Sequence, residues 1–222
     1  MNIICIIPAR GGSKGIPKKN IQSLAEKPLI QHSIQQAKDA EGISAVYVTT
    51  DDEVIASIAT QVGSQVITRP ESLSGDTASS ESALLHALTE IEQKGEVDYV
   101  VFLQCTSPFR AATDIDNAIN IIRSENSDSL LSVVDNHRFL WRNTNNGAES
   151  INYDFQNRPR RQDMEVQYME NGSIYIFKPW VLKELNNRLG GKVSIYVMDE
   201  KSAIDIDTAY DFKLAKAIFN LR

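Results

Sequence analysis

The chain has 222 residues, 42% of them hydrophobic, with 23 Lys and Arg against 29 Asp and Glu for a formal net charge of -6. That length supplies one well-packed core rather than two full domains, and the acidic balance argues against a general nucleic-acid or anionic-membrane binder, which needs a broad positive field. No apolar run approaches the roughly 20 residues of a membrane helix, the apolar start lacks a basic leader and cleavage site, and Cys5 and Cys105 are too far apart for a zinc spacing or a disulfide framework, so a soluble cytoplasmic protein is expected. In chain order, Ile3 to Ile7 is a short, β-branched, non-alternating run, which predicts a strand buried on both faces of a parallel sheet. Pro8 and the glycines of ARGGSKGIPKKN end it. The spacing then predicts a helix over 28–40, a strand over 45–50, a helix over 51–63 closed by Gly63, and a short strand over 65–68. A helix over 81–95 sets Leu84, Leu85, Leu88 and Ile91 on one face, and strand 98–104, helix 113–124 and strand 129–134 follow. From Asp135 to Glu170 no period is sustained, which marks an insertion, a β-rich arm. Strand 173–177, a helix from Trp180 to Arg188, strand 192–198 and a last helix from about Thr208 restore the alternation. The β-α-β order predicts an α/β fold, a doubly wound, Rossmann-like, mainly parallel sheet forming one domain over 1–222.

Five stretches carry chemistry. The opening loop places Arg10, Lys14, Lys18 and Lys19 around Gly11 and Gly12, at the carboxyl end of a first parallel strand, where open α/β sheets bind ligands. An isolated glycine-rich loop is ordinarily a turn, but amides and cations together also suit a polyphosphate. The loop fits neither GxxxxGK[ST] nor GxGxxG. In RPESLSGDTASS (69–80), Asp76, Thr77 or Ser79 is a candidate helix cap. In LQCTSPFR (103–110), Gln104 ends a buried strand and Pro108 stops it. RPRRQD (158–163) concentrates Arg158, Arg160 and Arg161, either as solvated surface or as forks for a carboxylate, and the Asn-Gly pair of ENGSIYIF (170–177) predicts a turn before a strand. In IDID, residues two apart on a strand point the same way, so Asp205 and Asp207 can share a hard cation while Ile204 and Ile206 face the core. The alternative is that Asp207 caps the last helix and Asp205 accepts a backbone bond. His32, His86 and His137 form no triad, and no histidine base is expected.

RGGSKGIPKKN resembles the nucleotide-binding signature of the N-acylneuraminate cytidylyltransferases, and RPESLSGDTASS, LQCTSPFR, RPRRQD with ENGSIYIF, and IDIDT resemble that family's base-recognition, substrate, sugar-site and metal segments, in order, from Ile3 to Asp207. The resemblance implies a sheet of the nucleotide-diphospho-sugar transferase type whose insertion, about 135–170, is a dimerisation arm. It implies a CTP-dependent transfer of CMP to the anomeric hydroxyl of a nine-carbon acidic sugar, with release of pyrophosphate. Arg10, Gly11, Gly12, Ser13, Lys14, Asn20, Arg69 and Ser80 would hold the nucleotide; Gln104, Ser107, Asn171, Tyr175 and Arg160 or Arg161 would hold the sugar. Asp205 and Asp207 would bind Mg2+, and Arg10, Lys19 and Asp207 would be catalytic, with Lys19 or Arg10 stabilising the departing pyrophosphate. It further implies a homodimer whose sugar site is completed by the partner's arginine. Three rivals stand beside it: a metal-dependent nucleotide-sugar glycosyltransferase, a non-catalytic nucleotide sensor, and an eight-carbon Kdo-type cytidylyltransferase. Their discriminators are the place of the acidic pair near the carboxyl terminus, its retention, and the composition of the opening loop. N-acetylneuraminate, legionaminate, pseudaminate and the deaminated sugar are not distinguished.

Overall fold

The computed structural model describes residues 1–13, 15–75 and 77–221. Along the chain lie β1 (Ile3–Pro8), a ribbon of β2 (Ser23–Leu24) and β3 (Lys27–Pro28), α1 (Leu29–Asp39), β4 (Ala45–Thr50), α2 (Glu53–Gln61), β5 (Gln65–Thr68), α3 (Ser80–Glu92), β6 (Tyr99–Leu103) and α4 (Ala112–Ser124). Then follow β7 (Ser129–Asn136), β8 (Trp141–Thr144), β9 (Gly147–Ser150), β10 (Gln167–Phe177), α5 (Pro179–Leu185), β11 (Val193–Val197) and α6 (Ala209–Phe219). Seven strands form one sheet in the order β11-β7-β10-β6-β1-β4-β5.

β1 is central, and both its faces are buried, which is why its sequence does not alternate. Ile3, Cys5 and Ile7 join Val48, Val101 and Leu103 under Ile30 and Ile34 of α1, Ile55 of α2 and Ile115 of α4. Ile4 and Ile6 join Val100 and Phe102 under Leu84 and Leu88 of α3 and Val181 and Leu182 of α5. From β1 the chain crosses to β4 on one side, while β6 pairs on the other, both parallel. The carboxyl ends of β1 and β6 therefore splay their connections apart and open a crevice.

A smaller third core sets what surrounds that crevice. Ile16 of the opening loop packs with Leu24, Leu29, Phe109, Ile206 and Phe212, so the loop, the start of α1, the segment before α4 and α6 share one apolar anchor.

The structure departs from the sequence reading at three places. β10 runs antiparallel to both β6 and β7, and it begins at Gln167, inside the stretch assigned to the irregular arm. Its register shifts between Glu170 and Tyr175, where Gly172 has φ +66°. Asn171-Gly172 is thus a bulge within a strand, not a turn before one, and the bulge breaks the alternation that would have revealed the strand. Second, IDID is not a strand; it is an extended link between a 3-10 turn over 200–203 and α6. Third, the helix expected from 180 to 188 ends at Leu185, because Asn186 adopts the left-handed conformation at φ 48°.

The arm holds the hairpin β8–β9, separate from the main sheet, and an aromatic group in which Phe139 meets Tyr153 and Trp141 meets both Tyr153 and Phe155. Among the described residues, no helix is long and apolar enough to cross a membrane.

Candidate active site

The opening loop leaves β1 pinned at several points. The Ala9 amide donates to Thr49 O at 3.0 Å, the Gly11 amide to Asp51 Oδ1 at 3.0 Å, and Asn20 Nδ2 to Arg10 O at 3.1 Å. Two glycines are required by close approach. A Cβ on Gly11 would lie 2.7 Å from Asp52 Oδ2, and one on Gly15 would lie far inside contact distance of the Asp207 carbonyl. The loop is thereby pressed against IDID, and the contact is reinforced by Lys19, whose Nζ donates to Ile206 O at 2.8 Å and to Asp207 Oδ1 at 3.0 Å.

These contacts border a cleft of about 290 Å3 lined by Pro8, Arg10, Ser13, Lys19 and Asn20, by Arg69 and Ser80, and by Phe102, Gln104 and Thr106. Arg69 is buried; its guanidinium donates to Thr49 O at 2.7 Å, and burial holds its pKa below the usual arginine range, with Asp51 opposing. Ser79 caps α3, accepting from the Ser82 amide at 3.1 Å, so the helix begins at the cleft wall with Ser80. The cap role expected of this stretch therefore holds for Ser79, alongside the placement of Ser80. Lys14 and Asp76 lie outside the described residues.

The two acids sit where the loop meets α6. Asp205 and Asp207 are exposed, with Ile206 fully buried between them, so the alternation expected of a strand survives in the extended link. Capping does not occupy Asp207's side chain. Thr208 caps α6, accepting from the Asp211 amide at 3.2 Å, while Asp211 Oδ2 accepts from the Thr208 amide at 2.7 Å. Although Asp205 keeps solvent-exposed surface, loss of hydration is the largest influence on its carboxyl and raises its pKa; the charges of Asp207 and Asp211 add, and Thr106 and Lys19 oppose.

A family model described as cytidylyltransferase matches residues 4–221. The chain belongs to the cytidylyltransferase family. It is 37% identical over 220 residues to N-acylneuraminate cytidylyltransferase A of Danio rerio, covering 97% of this chain and 50% of that protein. It is 35% identical to N-acylneuraminate cytidylyltransferase of Escherichia coli O18:K1:H7, covering 97% of this chain and 52% of that protein. It is 32% identical to post-translational flagellin modification protein B of Campylobacter coli, covering 96% and 93%. The chain thus spans about half the length of the first two relatives and nearly the full length of the third. Among solved structures, a CMP:2-keto-3-deoxy-manno-octonic acid synthetase complexed with CTP superposes with a TM-score of 0.74 at 18% identity, covering 100% of this chain and 99% of that one. That likeness confirms the Rossmann-like fold.

In this cytidylyltransferase-family chain, the residues expected to hold a sugar are not all brought together. Gln104 lines the cleft; Ser107, Asn171 and Tyr175 are buried outside its lining. Asn171 Oδ1 accepts from Ser132 Oγ at 2.6 Å and its Nδ2 donates to Ser202 Oγ at 3.0 Å. Tyr175 stacks on Phe102 with ring centroids 5.4 Å apart, and its hydroxyl donates to Glu170. Burial first, then Glu170, raises that hydroxyl's pKa. Arg160 and Arg161 lie in the exposed arm, and Arg160 Nε donates to Asp163 Oδ2 at 2.7 Å. Neither lines the cleft of its own chain. The sequence reading missed Gly15, Ile16, Thr106 and Asp51, whose roles arise from contacts with distant segments and have no local signature.

Proposed function

We propose that this chain is a CTP:N-acylneuraminate cytidylyltransferase, transferring CMP from CTP to the anomeric hydroxyl of a nine-carbon keto-acid sugar and releasing pyrophosphate. The observation that carries the reading is the Lys19–Asp207 contact at 3.0 Å, which ties the acidic pair to a lysine of the basic opening loop that lines the cleft. The names of the relatives from Danio rerio and Escherichia coli support the substrate class. Arg10, Lys19 and the loop amides would take the triphosphate, and Arg69, Ser80 and Asn20 the nucleoside. Gln104, an amide that both donates and accepts, would meet the sugar. Catalysis would rest on alignment and on neutralising charge at the α-phosphorus.

The donor set fits Mg2+. Two carboxylates flank one buried residue, and Asp205 is held in a setting that disfavours its charge. A hard cation that takes one or two carboxylates and fills its shell with water and substrate phosphate matches that set. When bound, the ion would lower the pKa of the attacking hydroxyl and offset phosphate charge. The position of the pair before the last helix, not after a central strand, disfavours a glycosyltransferase.

Product mass from a panel of nucleotides and keto-acid sugars tests the assignment. CMP-sugar and pyrophosphate are expected with CTP, Mg2+ and an N-acylneuraminate. Transfer onto an acceptor glycan, or no turnover of any keto-acid sugar, would remove it.

The reading extends to a homodimer and to the cytoplasm, where the two buried free thiols, Cys5 and Cys105, would remain reduced. Trp141 and Phe155 are 46% and 54% exposed on the arm, apolar surface that suits a second copy and would carry Arg160 or Arg161 to the partner's sugar site. Mixing Arg160→Ala chains with Asp207→Asn chains should restore part of the activity missing from each. A monomer by light scattering, or verified heterodimers without recovery, would sink the shared site.

A further inference from the structure

Arg110 is 3% exposed and among the described residues has no carboxylate within ion-pair distance. A buried guanidinium with no carboxylate in contact is costly, and Asp114 acts on it only from a distance, so its hydrogen bonds must offset the loss of water. The neighbouring thiols supply no charge: burial pushes Cys105 up to about 12 and Cys5 higher still. Arg110 itself, lowered by burial to about 10, stays charged at neutral pH. Its Nη1 donates to Ser173 O at 2.9 Å and to Ser173 Oγ at 3.1 Å. Its Nη2 donates to Ser33 Oγ at 2.6 Å and to Gln104 O at 2.7 Å, while Nε is buried without a partner.

Those acceptors lie on α1, on β10 and on the residue that follows β6, and they converge on Gln104. One is the carbonyl of Gln104 itself. Another belongs to Ser173, next to Gly172, and a Cβ on Gly172 would lie 2.7 Å from Gln104 Oε1. One guanidinium therefore fixes both the peptide that carries the Gln104 side chain and the bulge against which its amide rests. We propose that Arg110 is a positioning residue that aims Gln104 at the second substrate. The proposal rests on the cytidylyl-transfer reading for the identity of that substrate, not for the positioning.

In steady-state kinetics with CTP and the accepted keto-acid sugar, Arg110→Met should raise the sugar KM about tenfold or more. CTP affinity by calorimetry should change less than about twofold, since the nucleotide side of the cleft does not lean on Arg110. Arg110→Lys, which keeps the charge but not the fork, should recover part of the loss. In a Gln104→Ala background, Arg110→Met should add less than about twofold, because the effect passes through Gln104. Equal losses for CTP and sugar, or a full extra loss in that background, would overturn the proposal. Should Arg110→Met fail to fold, Arg110→Lys carries the same cycle. A separate readout holds even if no sugar is turned over: the Gln104 side-chain amide signal of 15N-labelled protein, assigned by its loss in Gln104→Ala, should shift in the Arg110 variant. An unmoved signal would refute the positioning role by itself, whereas a shifted signal with no turnover of wild-type protein would fault only the reaction assigned.

Discussion

Asp207→Asn is expected to lower turnover by about a hundredfold or more while the protein stays folded, since a carboxylate lost from a hard-cation site costs several kcal/mol of transition-state stabilisation. The fold should survive because the Asp207 side chain is 69% exposed and, among the described residues, its one side-chain tie is the ion pair with Lys19, of a kind worth at most about 1 kcal/mol. α6 keeps its cap, which Thr208 and Asp211 supply. Asp205→Asn should cut turnover similarly but differ in stability. The carboxyl of Asp205 is raised in the folded chain, chiefly by lost hydration. Any stability it contributes is full below its unfolded pKa and is lost as pH rises through the folded value, above which the ionised group burdens the metal-free fold. Asn removes that burden, and the melting temperature without Mg2+ should stay level or rise. Turnover measured across a Mg2+ titration, beside melting curves, checks both. Normal turnover of both variants at limiting Mg2+ would defeat the metal role.

Gly15→Ala should have the largest effect of any single methyl added to the opening loop. Its Cβ would press on the carbonyl oxygen of Asp207, which is backbone and cannot rotate aside. Either the loop or the 204–208 link must move, and overpacking of this kind costs about 1–3 kcal/mol. For a chain of this size that is a fall in melting temperature of about 3–10 °C. The displacement should also part Lys19 from Asp207 and weaken CTP binding about tenfold. Gly12→Ala is the control: a Cβ there meets nothing within 4 Å, so its stability should change by less than about 0.5 kcal/mol. Calorimetry of the two variants, each titrated with CTP, separates them. Equal melting temperatures would mean that the contact between loop and IDID does not hold the site together.

Which of the sequence's signals survived folding has a physical pattern. β1, β4, β5 and α1 to α4 were legible because local spacing reports which side of an element is buried, and a strand apolar on both faces must lie inside a sheet covered on both sides. The crevice followed from the same alternation, since strands that cross over in opposite directions must part above their carboxyl ends. The opening loop and IDID were recognisable as chemistry by residue type alone. What the chain order could not express was their meeting: Lys19 and Asp207 are 188 positions apart. Gly15 looked like loop glycine until Asp207 lay against it, and Ile16 like a loop residue until Phe109 and Phe212 surrounded it. Strand 173–177 was read, but the bulge at Gly172 interrupts the period of two and hid its start at Gln167, and its antiparallel place between β6 and β7 is a matter of pairing that no local period reports. The tertiary fold also divided the sugar candidates, leaving Gln104 on the cleft while enclosing Asn171 in a hydrogen-bonded network with Ser132 and Ser202. Residue type states what a side chain is able to bind; long-range packing decides which of those bonds the protein has already made for itself.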